Sequence, residues 1–314
     1  MLTGILLSIN YNPTVDKAFQ SVELLVTQVE YGWFIRSLHK WTANLILLFV
    51  CLHLITVFWS RAYRAPRELT WISGLLLFGT VLAICFFGYL LPWTDLSYSA
   101  TNIAMEIIKK VPWIGNAIVT ILQGGKEFTP RLLTIFYIFH IIILPLVLLA
   151  IISFHVYLIQ AHGMHEPDAN QLRIGKKSIR PMRFYPDFLR RILLFWVALL
   201  NAVVLLALFF PPELGEQADR FAQTPVGIKS EWPFLFLYQT LKIMPGRILF
   251  INGEMAALVL VFFGAIYLAA FPFLSGANEA SWRSKLARGG VILFFLYILL
   301  MGIWGYLSRP LAMH

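Results

Sequence analysis

The stretch RSLHKWTANLILLFVCLH, Arg36 to His53, decides how the rest of the chain is read. It is an apolar run with a histidine near each end, His39 and His53, fourteen residues apart. Ionisable side chains are costly inside a segment fit for lipid, and where they persist they usually have a purpose. The run is long enough to cross a hydrocarbon core of about 30 Å as a helix. It lacks the alternation that a strand of a membrane barrel requires.

The same character runs through the chain. Of 314 residues, 59% are hydrophobic and 13% charged, with a mean hydropathy of +0.74. A soluble domain cannot hide that much apolar surface, so the composition implies an all-α, polytopic membrane helix bundle. Full spans are expected near Trp33–Trp59, Trp71–Leu91, Leu132–Ile159, Arg191–Phe210, Leu249–Leu274 and Val291–Leu307. Met1–Ile9 is apolar but too short to cross alone, and reads as the end of a truncated first segment, giving about seven in all. A late start site or a second polypeptide would account for the rest of that helix. No basic region precedes the first apolar residues, so no cleavable signal is apparent.

Basic residues set the orientation. Arg61, Arg64 and Arg67, then Arg173, Lys176, Lys177, Arg180, Arg183 and Arg190, then Arg283, Lys285 and Arg288 fall in three alternate connections, near 60–70, 160–190 and 275–289. The positive-inside rule places all three on the cytoplasmic side of a bacterial or archaeal cell membrane, or on the equivalent side of an organelle membrane. The net charge of +9 is therefore read as topology and not as nucleic-acid binding. The basic 160–190 connection divides residues 1–185 from a three-helix portion, 186–314. The two cysteines, Cys51 and Cys85, lie in apolar runs and offer neither a disulfide framework nor a CxxCH attachment motif.

A second histidine pair, His140 and His155, is fifteen apart in FYIFHIIILPLVLLAIISFH. Fourteen helical steps end about 40° short of four turns and fifteen about 60° past, so each pair stays broadly on one helix face. The axial separation is about 21–22 Å. If both helices run the same way, His39 lies beside His140 and His53 beside His155, and each pair can clamp one iron. Neutral imidazole is a good iron ligand, and haem is held through axial side chains. A single histidine on such a helix can equally be hydrogen-bonded to a neighbour; four of the seven histidines in matched pairs point to two stacked haems. Gly74 and Gly88, also fourteen apart, suit close approach of a flat group, although helix packing alone would use them too.

These residues resemble cytochrome b of the quinol–cytochrome c and plastoquinol–plastocyanin oxidoreductases. YNPTVDKAFQSV, YGWFIRSLHKWTANL, RAPRELTWISG, GYLLPW and VPWIG look most like cytochrome b6, as does the fourteen-then-fifteen spacing. From about Asp187 the chain is similar to subunit IV, including SEWPFLFLYQTLK, here joined to the first half. The resemblance implies an outer, low-potential haem on His39 and His140 and an inner, high-potential haem on His53 and His155. It also implies a haem propionate beside Arg36, which an interfacial arginine would match as well. SEWP falls at the family's Pro-Glu-Trp-Tyr signature, so Glu231 and Trp232 are carried over to the quinol-oxidising pocket, with Glu231 as proton acceptor. Ser230 and Pro233 depart from that signature. Glu231 could also simply cap or solvate a helix start.

Other departures are informative. Ile135 stands where the family often has an arginine, and Arg131 lies one turn further out. Gln160 replaces the arginine associated with an extra covalent haem in cytochrome b6, which argues against that haem here. His162 and His165, beyond the second histidine span, suit either a proton relay or a solvated loop.

The expected function is the dihaem subunit of a quinol:electron-acceptor oxidoreductase. It would couple bifurcated quinol oxidation to transmembrane electron transfer and proton translocation. The cofactors are two non-covalent haem b groups, with quinone as substrate. The implied partners are a Rieske iron–sulfur protein, a membrane-anchored c-type cytochrome and the lipid bilayer, in a homodimeric complex; nucleic acid is not among them. Two rivals remain: a dihaem quinone-reactive anchor of another oxidoreductase, and a transporter or structural protein without redox work.

Overall fold

Every long apolar run folds as a helix, and prolines and capping side chains decide where the ladders stop. The structure, a computed structural model, describes residues 1–111, 113–125, 131–163, 183–219, 229–248, 250–275 and 281–308. Among these, six helical segments are long and apolar enough to cross a membrane: Gly32–Trp59, Glu68–Tyr89, Arg131–His162, Phe184–Phe209, Gly253–Leu274 and Trp282–Leu307. The polytopic helical fold is thus the one its hydropathy dictates.

In chain order the helices are α1 (Leu2–Asn10), α2 (Ala18–Thr27), α3 (Gly32–Trp59), α4 (Glu68–Tyr89), α5 (Asp95–Lys109) and α6 (Gly115–Gln123). They continue with α7 (Arg131–Ile138), α8 (Leu144–His162), α9 (Leu189–Phe209), α10 (Leu235–Ile243), α11 (Gly253–Leu274) and α12 (Trp282–Leu307). A π turn, Phe139–Ile143, fuses α7 to α8, and another, Phe184–Phe188, leads into α9. A small antiparallel hairpin, β1 (Arg247–Ile248) and β2 (Ile251–Asn252), precedes α11.

Several ends differ from the hydropathy reading. The last span begins at Trp282, not Val291, because Ser281 caps it by accepting from the Ser284 N–H at 3.2 Å. Arg283, Lys285 and Arg288 therefore lie on helix. Residues 251–252, counted within an apolar span, belong instead to the hairpin, and Asn252 caps α11 through the Glu254 N–H. Hydropathy registers the lipid-facing portion of a helix, whereas capping chemistry sets its end.

The chain divides into two compact units. The first comprises residues 1–12, 20–62 and 163–214, and so holds α1, α3 and α9. Within it α9 groups with α3. Pro211, at the end of α9, helps to explain how. Pro211 has no N–H to answer the carbonyl of Ala207 four residues earlier. Ser37 of α3, fully buried, donates its hydroxyl to that carbonyl at 2.8 Å. Trp41 Nε1 donates to the Phe210 carbonyl at 2.8 Å. Neighbouring side chains thus satisfy carbonyls that the proline-ended helix cannot.

The second unit comprises residues 13–19, 63–162 and 215–314. Pro272 lies inside α11 and leaves the Leu268 carbonyl without its helical N–H. Trp71 of α4 donates its indole N–H to that carbonyl at 2.8 Å. Tyr63 and Phe271 close around the indole, with ring centroids 5.7 and 6.2 Å from that of Trp71. This buried joint anchors the N-terminal end of α4, three residues before Gly74.

Candidate functional site

In the second unit α4 and α8 run in opposite directions, and Gly74 and Gly88 of α4 each meet one histidine. A β-carbon placed on Gly88 would lie 2.5 Å from Cε1 and 2.8 Å from Nδ1 of His140. One on Gly74 would lie 3.3 Å from Cε1 of His155. The first distance is a collision and the second is tighter than carbon atoms ordinarily pack. The glycine pair and the histidine pair are therefore in register over four helical turns, about 21 Å.

That register needs an explanation, because the spacings differ by one residue. The π turn at Phe139–Ile143 supplies it. Leu144 donates its N–H to the Phe139 carbonyl, five residues back. Such a turn absorbs roughly one extra residue, so fifteen steps from His140 to His155 cover nearly the arc of fourteen regular ones. Pro145 is the cause: it cannot donate to the Ile141 carbonyl, and its ring crowds that carbonyl. Phe139 of the π turn stacks on Phe87 at 5.0 Å, beside Gly88.

Both rings are oriented through Nδ1. His140 Nδ1 lies 2.9 Å from the Ile84 carbonyl. A carbonyl only accepts, so this nitrogen carries the proton, and Nε2 of the neutral ring has the lone pair. Gly88 stands four residues after Ile84, and its missing side chain gives the imidazole access to that carbonyl. His155 Nδ1 lies 2.8 Å from Ser73 Oγ. Metal-binding histidines almost always hold their other ring N–H in this way.

In the first unit, Thr3 Oγ1 lies 3.0 Å from Nδ1 of His39. A β-carbon on Gly4 would sit 3.2 Å from Cε1 of the same ring. α1 thus gives His39 the pairing of glycine and Nδ1 partner that α4 gives the α8 histidines. His53 is exposed on α3. Arg36, one turn before His39, donates to the carbonyls of Pro212 at 2.7 Å and Glu213 at 3.1 Å.

Glu231 stands at the start of a 3-10 turn, Trp232–Phe234, that leads into α10. Its side chain makes no capping hydrogen bond, so capping does not explain it. Its carboxylate is within electrostatic reach of Tyr89 and Cys85 on α4. Phe234 meets Phe86 at 6.2 Å. The GYLLPW end of α4 and the SEWP segment are therefore neighbours, and Tyr89 follows Gly88 directly. Trp232 is 41% exposed. Proline within this turn suits a 3-10 start, where an N–H would have no partner. Beyond the turn, burial raises the Tyr238 hydroxyl above the ordinary phenol range.

Arg131 is exposed at the start of α7. His162 ends α8, and its carbonyl accepts from Arg67 at 3.3 Å. His165 lies outside the described residues. Cys51 and Cys85 are free and half-buried. Thr3, Gly4, Ser73, Ile84 and Pro145 were not singled out from the sequence. A signal existed for Pro145, a proline inside an apolar span. Ser73 and Gly4 are ordinary helix residues until the fold sets a histidine against them.

Residues 44–217 match the family described as cytochrome b (N-terminal)/b6/petB, and residues 217–311 that described as cytochrome b (C-terminal)/b6/petD. The chain is 34% identical over 304 residues to a cytochrome bc complex cytochrome b subunit of Chlorobaculum thiosulfatiphilum, covering 95% of this chain and 68% of the relative. It is 39% identical over 166 residues to cytochrome b6 of Heliobacterium mobile, covering 53% of this chain and 78% of that one. A solved structure titled hyperthermophilic respiratory Complex III matches with a TM-score of 0.77 at 25% identity, covering 97% of this chain and 87% of the other. With histidines seated on helix glycines, and both halves of the family matched in sequence, the chain belongs to the cytochrome b/b6 family of haem-binding membrane proteins.

Proposed function

We propose that the chain is the dihaem, quinone-reactive subunit of a bc-type quinol:electron-acceptor oxidoreductase, passing electrons toward a cytochrome c or plastocyanin. It couples bifurcated quinol oxidation to electron transfer across the membrane and to proton translocation. The observation that carries this reading is the register of Gly88 with His140 and of Gly74 with His155.

The donor set fits haem iron. The α8 rings are held at Nδ1 so that Nε2 has the lone pair, and glycines keep side chains away from the ring edges. His39 with His140, and His53 with His155, are the axial pairs implied by the sequence spacing. Haem b, when bound there without covalent attachment, supplies a one-electron carrier. Arg36 has guanidinium donors beyond its two carbonyl bonds, and these suit a carboxylate. Glu231, beside Tyr89, is the base that takes a quinol proton, and Trp232 lines the same pocket.

Two cysteines cannot ligate an iron–sulfur cluster alone, so the strong one-electron acceptor belongs to a partner. A Rieske-type protein docking on the 92–131 and 211–248 connections fits that role, with a membrane-anchored c-type cytochrome after it, in a homodimeric assembly. The basic connections face the cytoplasm of a bacterial or archaeal cell. The test is purification of the native complex in mild detergent. Two haems b per chain by pyridine haemochrome, together with an iron–sulfur EPR signal, are expected. Fewer than two haems in a fully loaded chain, or a quinol-oxidising complex with no iron–sulfur subunit, would overturn it.

A further inference from the structure

The two histidines of α8 rest on chemically different acceptors. His140 Nδ1 meets a backbone carbonyl, that of Ile84, at 2.9 Å. His155 Nδ1 meets a side-chain hydroxyl, that of Ser73, at 2.8 Å. Ser73 is 2% exposed, which shields this bond from water. Its hydroxyl also donates to the Thr70 carbonyl at 2.9 Å. That carbonyl only accepts, so the single hydroxyl proton is committed there. The Ser73 oxygen is left as an acceptor, and His155 Nδ1–H is the donor.

Resting on the proposed ligation of iron by His155, we propose that Ser73 is a positioning residue that fixes the His155 tautomer and tunes the reduction potential of the iron on His155. An acceptor on Nδ1–H pushes electron density into the ring, raises its basicity at Nε2 and favours ferric iron. Donation from Ser73 to Thr70 polarises the hydroxyl and strengthens it as an acceptor. An amide carbonyl is the stronger acceptor of the two, so the Ile84 carbonyl holds the iron on His140 at the lower potential. The backbone partner cannot be removed by substitution, whereas the serine can. Gly74, next to Ser73, lets the imidazole come close enough for the bond to form.

The experiment uses the intact complex with Ser73→Ala and Ser73→Thr, titrated potentiometrically in the haem α-band. In Ser73→Ala the reduction equilibrium of one haem is expected to shift about tenfold toward the ferrous form, about 59 mV upward for one electron. The EPR g values of that ferric haem should move with it, and the other haem should not change. Ser73→Thr, which keeps the hydroxyl, should restore the original potential. Unmoved potentials in Ser73→Ala with both haems present, or equal shifts in both, would overturn the proposal. If Ser73→Ala loses one haem, Ser73→Cys takes the measurement, keeping a weaker acceptor of similar size. An upward shift there supports the proposal and an unmoved potential overturns it. A haem count below two in the unsubstituted complex would strike the ligation instead, so the two failures are distinct.

Discussion

An added β-carbon on Gly88 would stand 2.5 Å from Cε1 of His140, whereas one on Gly74 would stand 3.3 Å from Cε1 of His155. The two glycines occupy equivalent places on α4 but tolerate change to different degrees. The imidazole of His140 is pressed fully into the groove over Ile84, and that of His155 stops short at Ser73.

Gly88→Ala is therefore expected to displace His140 and to remove one haem from most chains. Gly74→Ala requires a shift of only a few tenths of an ångström and should retain both haems with an altered spectrum. Pyridine haemochrome counts on the two purified variants check this. Equal haem content in both would show that the contact with His140 does not govern binding.

Single histidine substitutions are expected to fall into two classes. His39→Ala and His140→Ala should abolish one and the same α-band component in a redox titration. His53→Ala and His155→Ala should abolish the other. Any other pairing of the lost components would require a different ligand assignment.

Glu231→Gln keeps the shape of the side chain and removes its capacity to take a proton. Loss of a positioned base typically costs about 10²–10⁴ in rate. Pre-steady-state reduction of haem b by quinol, with quinone reduction blocked, is expected to slow by that order while assembly and haem content stay normal. An unchanged rate would leave Glu231 a structural role only.

Trp71→Phe keeps an aromatic ring against Tyr63 but removes the donor to Leu268. A buried carbonyl left without a partner costs about 1–3 kcal/mol. Pro272→Ala restores the helical N–H four residues on, so the tryptophan change should cost less in that background. Thermal unfolding of the four proteins of this double-mutant cycle measures the coupling. Additive effects would mean that the indole matters only for packing.

Much was legible in the residue order. Membrane spans follow from hydropathy because uncharged helical runs of sufficient length have one cheap environment, and six such helices stand among the described residues. The histidine and glycine spacings are visible as numbers because the helix converts sequence distance into angle. Helix ends were less legible. Capping by Ser281 and Asn252 extends or trims helices regardless of hydropathy.

By itself, then, the sequence determined the membrane fold class and the family, and it displays two histidine spacings of fourteen and fifteen, since these depend on local periodicity and residue type. Only the tertiary structure decided which glycine meets which histidine, and which atom orients each ring. Those choices depend on the antiparallel alignment of α4 with α8 and on the π turn at Pro145 that brings spacings of fourteen and fifteen into one register. Ser73 illustrates the reason most directly. Its neighbours in sequence show a serine in an apolar helix, and only the fold sets its oxygen against a histidine eighty-two residues away.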